Sequence, residues 1–223
     1  MNAQASLSPA DLLQRELSIS ELNIIHALHL RSTVGLGNDM VRNETRASLQ
    51  QLLQKSRVTG LFHGDELVAY GVLQHQLPPE ERLPESLAAD PARPQLALAG
   101  ISVSPQWRGH SLQRRLIMQR IAMAPANALL FSTAAPANHY SWNNLLECGF
   151  HVRDINLRYG GQMRYLMVLE PLPDYALYPD LSKEFHALDI KRQHQLLQQG
   201  WRGALPGHSP EYLRYIPVNR RTA

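Results

Sequence analysis

One cysteine, Cys148, stands alone in 223 residues, so no disulfide can close within the chain. No apolar run approaches the roughly 18 residues that a membrane helix needs, and no N-terminal stretch has the make-up of a secretory signal. Together these absences make the cytoplasm the expected compartment. Repeats and low-complexity tracts are also missing, which excludes solenoid and largely disordered architectures. Lysine is scarce: all but three of the 22 basic residues are arginine, and the formal net charge is only +3. That balance lacks the wide basic face of a general nucleic-acid binder. Arg108, Arg114, Arg115 and Arg120 instead gather in one short stretch, an arrangement suited to a phosphate ligand. A hydrophobic fraction of 44% is that of a soluble globular chain with one sizeable core.

Periodicity divides the chain into short elements. "LLQRELSI" reads as a first strand, and "SISELNIIHALHLRS" as a helix with a serine cap and Leu22, Ile25 and Leu28 on one stripe. "TVGLGNDMVRN" breaks the pattern, and "ETRASLQQLLQKS" resumes a helix through Leu49, Leu52 and Leu53. "VTGLFHGDELVAYGVLQH" reads as an antiparallel hairpin turning at "HGDE". A proline-rich acidic connection follows, of a length that often meets substrate. "LALAGISVSP" is apolar throughout, as in a central strand covered on both faces, and leads into the helix "SLQRRLIMQRIAMA". "NALLFSTAAP" is another buried strand, "NHYSWNNLLEC" a short helix between Asn138 and Gly149, and two strands close the run. This order predicts an α+β protein with a mixed sheet flanked by helices on both faces. Beyond Pro173 only one helix, about Asp189 to Gln199, is expected in a loop-rich tail. The domain reading is therefore 1–172 for the core and 173–223 for a helical appendage.

"SVSPQWRGHSLQRRLI" joins the central strand to a helix through a turn. The free first-turn amides of that helix and its dipole favour an anion, and arginines nearby add charge-assisted bonds. Here the sequence resembles the GCN5-related N-acetyltransferases (GNAT), whose phosphate signature runs Q/R-x-x-G-x-G/A after a central strand. The signature maps onto Arg108, Gly109, His110, Ser111, Leu112 and Gln113, with Ser111 and Gln113 standing where the pattern has glycine and glycine or alanine. "PANHYSWNNLLECGF" resembles the second cofactor segment of that family through Asn138, Ser141, Gly149 and Phe150, and "YGG..R" from Tyr159 to Arg164 resembles a late segment of some bacterial members. The resemblance spans about residues 12 to 170.

What the resemblance implies is the acyl-CoA N-acyltransferase fold, with a mostly antiparallel sheet of six to seven strands, and acetyl-CoA as co-substrate without a metal. Pantetheine would lie along Ile101, Ser102 and Val103. The pyrophosphate would meet the amides of Gly109, His110, Ser111, Leu112 and Gln113, with Arg108 and Arg114 as further cofactor-binding residues, and Asn138 and Ser141 would touch the cofactor arm. The implied activity is N-acetylation of a primary amine by direct transfer, or, as the rival reading, acyl-CoA binding without catalysis. No membrane or nucleic-acid partner is implied, and a homodimer is compatible with the fold.

Acyl transfer needs a neutral amine, a site for the oxyanion and a proton for the thiolate. The carboxylate that many members carry on the central strand is absent from "LALAGIS", and Leu145 stands where many have a tyrosine acid. His75, His139 and Tyr140 are the substitutes, with Glu66 near the hairpin turn a further one; solvent relays are an alternative. Trp107 and Trp142 read as cavity-lining or, first, as core residues, Cys148 as an inert thiol, and His26 with His29 as too few ligands for a metal. Nucleic-acid binding through Arg202, Arg214, Arg220 and Arg221 is the third class considered.

Overall fold

The computed structural model describes residues 8–88, 90, 92–169 and 175–220, leaving aside the side chains of 175–177 and 219–220. Strand β1 (Leu13–Leu17) leads to helices α1 (Leu22–Thr33) and α2 (Arg46–Gln54). Ser18 and Glu21 form a capping box ahead of α1, and the Thr45 hydroxyl accepts the Ser48 N–H at 3.1 Å to start α2. Strands β2 (Ser56–His63) and β3 (Glu66–Gln74) form the expected hairpin around Gly64, whose φ of 56° suits a residue without Cβ. Strand β4 (Gln95–Val103), helix α3 (Leu112–Met123), strand β5 (Leu129–Ala134), helix α4 (His139–Glu147), and strands β6 (Phe150–Arg158) and β7 (Gln162–Leu169) complete the core.

Alternation along the strands sends side chains to two layers. Tyr70 and Val72 pack with Leu22, Ile25, Leu28, Leu49 and Leu53 of α1 and α2, while Ala69 and Leu61 pack with Leu112 and Leu116 of α3 on the other face. Each fully buried leucine or isoleucine contributes about 1.5–3 kcal/mol of burial. Trp107 and Trp142 are core residues, as expected.

The tail corrects the sequence reading. Strands β9 (Lys183–His186), β10 (Arg202–Pro206) and β11 (Tyr212–Ile216) join the same sheet, which has ten strands in the order β1-β2-β3-β4-β5-β7-β6-β10-β11-β9. The six-to-seven-strand count and the helical appendage both understate this. The join is a single registered pair, Gly203↔Val152. A Cβ at residue 203 would come within 3.0 Å of both Leu213 and Val152, so glycine permits the approach. Helix α5 (Ile190–Gln198) is the one helix expected, capped by Asp189. Its Gln193 is fully buried: Gln193 Oε1 lies 2.7 Å from the Tyr165 hydroxyl and 2.8 Å from that of Tyr215, and Gln193 Nε2 donates to the His186 and Ala187 carbonyls. Two further strands, β8 (Tyr175–Leu177) and β12 (Val218–Arg220), pair with each other. The 172/173 boundary and Arg221 lie outside the described residues.

Among the described residues only β4 and β5 run parallel, and they pair over just Gln95↔Leu129, Leu96↔Leu130 and Ala97↔Phe131. Both strands then continue, β4 to Val103 and β5 to Ala134, so the sheet splits open between them. The Ser132 hydroxyl donates to the Leu98 carbonyl at 2.8 Å where the ladder stops. On the other side of β4 the register with β3 shifts between Gly71 and Leu73. There Arg120, wholly buried, donates to the Val72 and Ala99 carbonyls at 3.2 and 3.5 Å. A Cβ on Gly71 would lie 3.0 Å from Arg120 Nε, so the glycine makes room for the guanidinium. Burial pulls the Arg120 pKa down to about 9, which leaves it a cation at neutral pH.

Candidate functional site

The split in the sheet opens into a cavity of about 860 Å³. Its walls are the free stretches of β4 and β5, the turn before α3, the start of α4, and two loops that come from distant parts of the chain.

At one end is the turn. Gly109 has φ 81° and Ser111 φ 58°, both left-handed. Serine at 111 therefore adopts the backbone form that glycine prefers, at a strain of about 1–2 kcal/mol, and the turn keeps its shape. Nothing caps the helix from within: Ser111 makes no side-chain cap bond, while its carbonyl accepts the N–H of Arg115 at 3.0 Å. The amides of Leu112, Gln113 and Arg114 are thus first-turn donors at the cavity wall. Gln113 turns toward α4, its Oε1 accepting from Asn144 Nδ2 at 3.1 Å. Arg114 pairs with Glu147 and donates to the Ser111 hydroxyl at 2.7 Å, and Arg108 donates to the Ser32 carbonyl at the end of α1 at 2.7 Å. His110 is not part of the wall; its ring lies 5.7 Å from that of Trp107.

Ile101, Ser102 and Val103 line the split, opposite Thr133 and Ala134. Asn138 and Ser141 line it at the start of α4; Asn138 Oδ1 caps the Ser141 N–H at 3.1 Å and Asn138 Nδ2 donates to the Met40 carbonyl at 3.2 Å. Of the three catalytic candidates only Tyr140 reaches the wall. His75 is exposed beyond the end of β3, and His139 stacks on Tyr140 with ring centroids 4.1 Å apart, behind the wall. Glu66 pairs with Arg31 at 3.5 Å, also away from it.

The loop end of the cavity is made of side chains, of which Tyr159 and Arg164 alone fall in a segment the sequence marked. His29 Nε2 accepts the Glu44 N–H at 3.1 Å, which places its proton on Nδ1, 3.5 Å from the Tyr70 hydroxyl. Burial lowers the His29 pKa, so it is a neutral imidazole with its lone pair already engaged. Burial also raises the Tyr70 phenol far above its usual range. Arg42 sits between Glu44, at 2.9 Å, and Glu81, at 3.4 Å, with its Cζ 4.6 Å from the Tyr159 ring centre. Gln74 Nε2 donates to Glu81 at 3.1 Å. Tyr159, at φ 51°, leads the "YGG..R" segment, and its hydroxyl bonds Thr133 at 3.0 Å. Arg164, at the end of that segment, is buried and donates to the Asn38 carbonyl at 3.0 Å. The proline-rich connection does reach the cavity, through Leu77 and Glu81.

Elsewhere, burial pushes the Cys148 thiol up, in keeping with an inert group. Arg202 is buried and Arg214 donates to the Pro206 carbonyl at 2.9 Å, so these two tail arginines do not form an open basic face. Among the described residues no helix is long and apolar enough to cross a membrane.

No family model and no curated protein matches the sequence. Solved structures match it in fold at low identity. An acetyltransferase of the GNAT family from Streptococcus pneumoniae is 16% identical over 70% of this chain and 98% of its own, with a TM-score of 0.50. The polyamine N acetyltransferase of Drosophila melanogaster is 16% identical over 72% and 100%, TM-score 0.52. The NatC complex bound to Gag peptide and CoA is 13% identical over 72% and 99%, TM-score 0.53. The chain has the fold of the GNAT acetyltransferases, as the segments around Arg108 and Asn138 imply.

Proposed function

We propose, with the GNAT fold as premise, that the protein is an acyl-CoA-dependent N-acyltransferase that moves acetyl from acetyl-CoA to a primary amine by direct transfer. The observation that carries this reading is the split between β4 and β5. It leaves the strand edge from Leu98 to Val103 facing a cavity that runs on to the amide turn of α3. A pantetheine arm can take the vacant place of a strand beside β4, hydrogen-bonding the edge that β5 has left. The amides of Leu112, Gln113 and Arg114 then receive the pyrophosphate, where the helix dipole and the left-handed turn favour negative charge. Neither needs a particular side chain, so Ser111 and Gln113 are compatible with the role.

In the transfer, the neutral amine adds to the thioester carbonyl, the tetrahedral oxyanion collapses, and CoA leaves as a thiolate. His29 is not the base, because its Nε2 is occupied by the Glu44 N–H. The ammonium proton passes to solvent water, and Tyr140, the one sequence candidate on the wall, is the donor assigned to the thiolate. Titration calorimetry with acetyl-CoA and with CoA tests the reading; micromolar binding of both is expected, and no binding at millimolar ligand overturns it. Release of free CoA from acetyl-CoA in the presence of amines separates transfer from the rival reading, in which CoA binds and no thiol appears.

A further inference from the structure

The loop end of the cavity already holds a cation, and it belongs to the chain itself. Arg42 places its guanidinium between Glu44 and Glu81 and over the face of Tyr159. Each wall of this box is fixed by something other than Arg42. Glu44 accepts the Ser48 hydroxyl at 2.5 Å, and its backbone is tied to His29. Glu81 accepts Gln74 Nε2, and the carbonyls of residues 80–82 are held by the Arg158 guanidinium at 3.2–3.4 Å. Tyr159 is held by Thr133. The side chains of Glu44 and Glu81 are 10% and 24% exposed, whereas that of Arg42 is 43% exposed and rises from a loop between two helices. A shaped receptor filled by a replaceable side chain is the consequence: two carboxylates and a ring face surround the one guanidinium between them.

We infer that this box receives a cationic group of the acyl acceptor in place of Arg42, and that the acceptor is a primary amine carrying a second, non-reacting cation. The inference rests on the acyltransferase reading. Two carboxylates and a ring face stabilise the protonated form of whatever nitrogen they hold. A nitrogen held there stays an ammonium or guanidinium and cannot attack a thioester. The reacting amine must therefore be a different nitrogen of the same molecule, and a simple monoamine held in the box has no nitrogen left to react.

The test pairs 1,4-diaminobutane with 1-aminobutane, which share a carbon chain and differ in the second cation. Each is titrated by calorimetry into the wild-type chain, R42A, R42K, E81Q and R42A/E81Q, with and without CoA. In R42A the diamine is expected to bind about tenfold tighter than in wild type, two part-exposed ion pairs and a ring contact being the competitors removed. R42K keeps a plug and wild-type affinity, E81Q binds the diamine about tenfold more weakly, and 1-aminobutane, an ammonium itself, follows the same order across the variants but releases far less CoA from acetyl-CoA than the diamine does, because the box holds its one nitrogen. Thermal melting of each variant confirms that it is folded. CoA release from acetyl-CoA that is equal with the two amines, or no tightening of the diamine in R42A, overturns the inference. CoA affinity unchanged across the variants keeps that failure apart from a failure of the acyltransferase reading, which would show as no CoA binding while the diamine still binds.

Discussion

The two ends of the cavity are built on different principles. At the α3 end the ligand contacts come from the backbone: a strand edge left unpaired and three amides presented by a turn with two left-handed residues. At the loop end they come from side chains, Arg42, Glu44, Glu81 and Tyr159, brought together from segments far apart in sequence. Backbone sites tolerate substitution because any residue that keeps the chain path keeps the donors. Side-chain sites are specific, and their identity changes with each residue. The first end suits a constant ligand, and the second an acceptor peculiar to this protein.

Arg120 stands behind β4, between the two, and its loss should damage both. Replacing it with Met strands the Val72 and Ala99 carbonyls at the register shift. A cost of about 3 kcal/mol in urea unfolding is expected, together with weaker CoA binding. Intact CoA affinity in a destabilised Arg120→Met protein would show that strand geometry at the split does not matter. Ser111→Asp tests the α3 end alone. A carboxylate set among amides that should receive phosphate is expected to weaken CoA about 100-fold, while diamine binding at the loop end stays as it was.

His151 lies in neither end and serves as a reference. Burial first, with Arg202 and Arg153 adding, pulls its pKa from 6.5 to about 4, and its Nδ1 has no hydrogen-bond partner among the described residues. Because the folded-state pKa is the lower one, the unfolded chain takes up the proton first as pH falls. Stability present at neutral pH is then lost between about 6.5 and 4. The loss from this group amounts to about 2 kcal/mol from pH 7 to pH 5, and His151→Phe should remove it, as read from melting temperatures at the two pH values. An unchanged pH profile would assign the acid sensitivity to other groups.

Smaller effects sharpen the contrast further. Ser111→Gly relieves the left-handed strain at the expense of backbone entropy and the Arg114 bond, for a net gain of about 0.5–1 kcal/mol, with CoA affinity kept or improved. A loss of stability would mean that the serine hydroxyl contributes more than its backbone strain costs. Gln113→Ala removes only a bond to Asn144. CoA affinity within about twofold of wild type is expected, and a larger drop would show that the amide side chain meets the phosphate after all.

Legibility in the sequence follows the same division. Apolar runs and turn residues announced the hairpin, the central strand and the helices, since burial and local φ preferences are written locally. The α3 turn was readable for the same reason, and Ser111 looked like a departure only because its conformation is invisible in its letter. The tail strands were not, because Lys183–His186, Arg202–Pro206 and Tyr212–Ile216 are short, charged or interrupted, and only pairing with the existing edge makes them strands. Glu44 and Glu81 carried no signal either: each is an ordinary loop acid until Arg42 joins them. Tyr159 had one, as the head of the "YGG..R" segment, but not its partner.

The buried Gln193 that joins Tyr165 of the core sheet to Tyr215 of the tail has a dynamic consequence. Lifting the last strands away would leave two phenols, an amide and two carbonyls without partners in a dry interior, so opening the tail costs nearly as much as unfolding the sheet beneath it. Backbone protons of 202–205 and 212–216 should therefore exchange with solvent through the same global event as those of 163–168. The Arg42 loop is tied by single bonds of Asn38, Met40 and Glu44 to Arg164, Asn138 and His29, so its protons should exchange sooner than those of the strands.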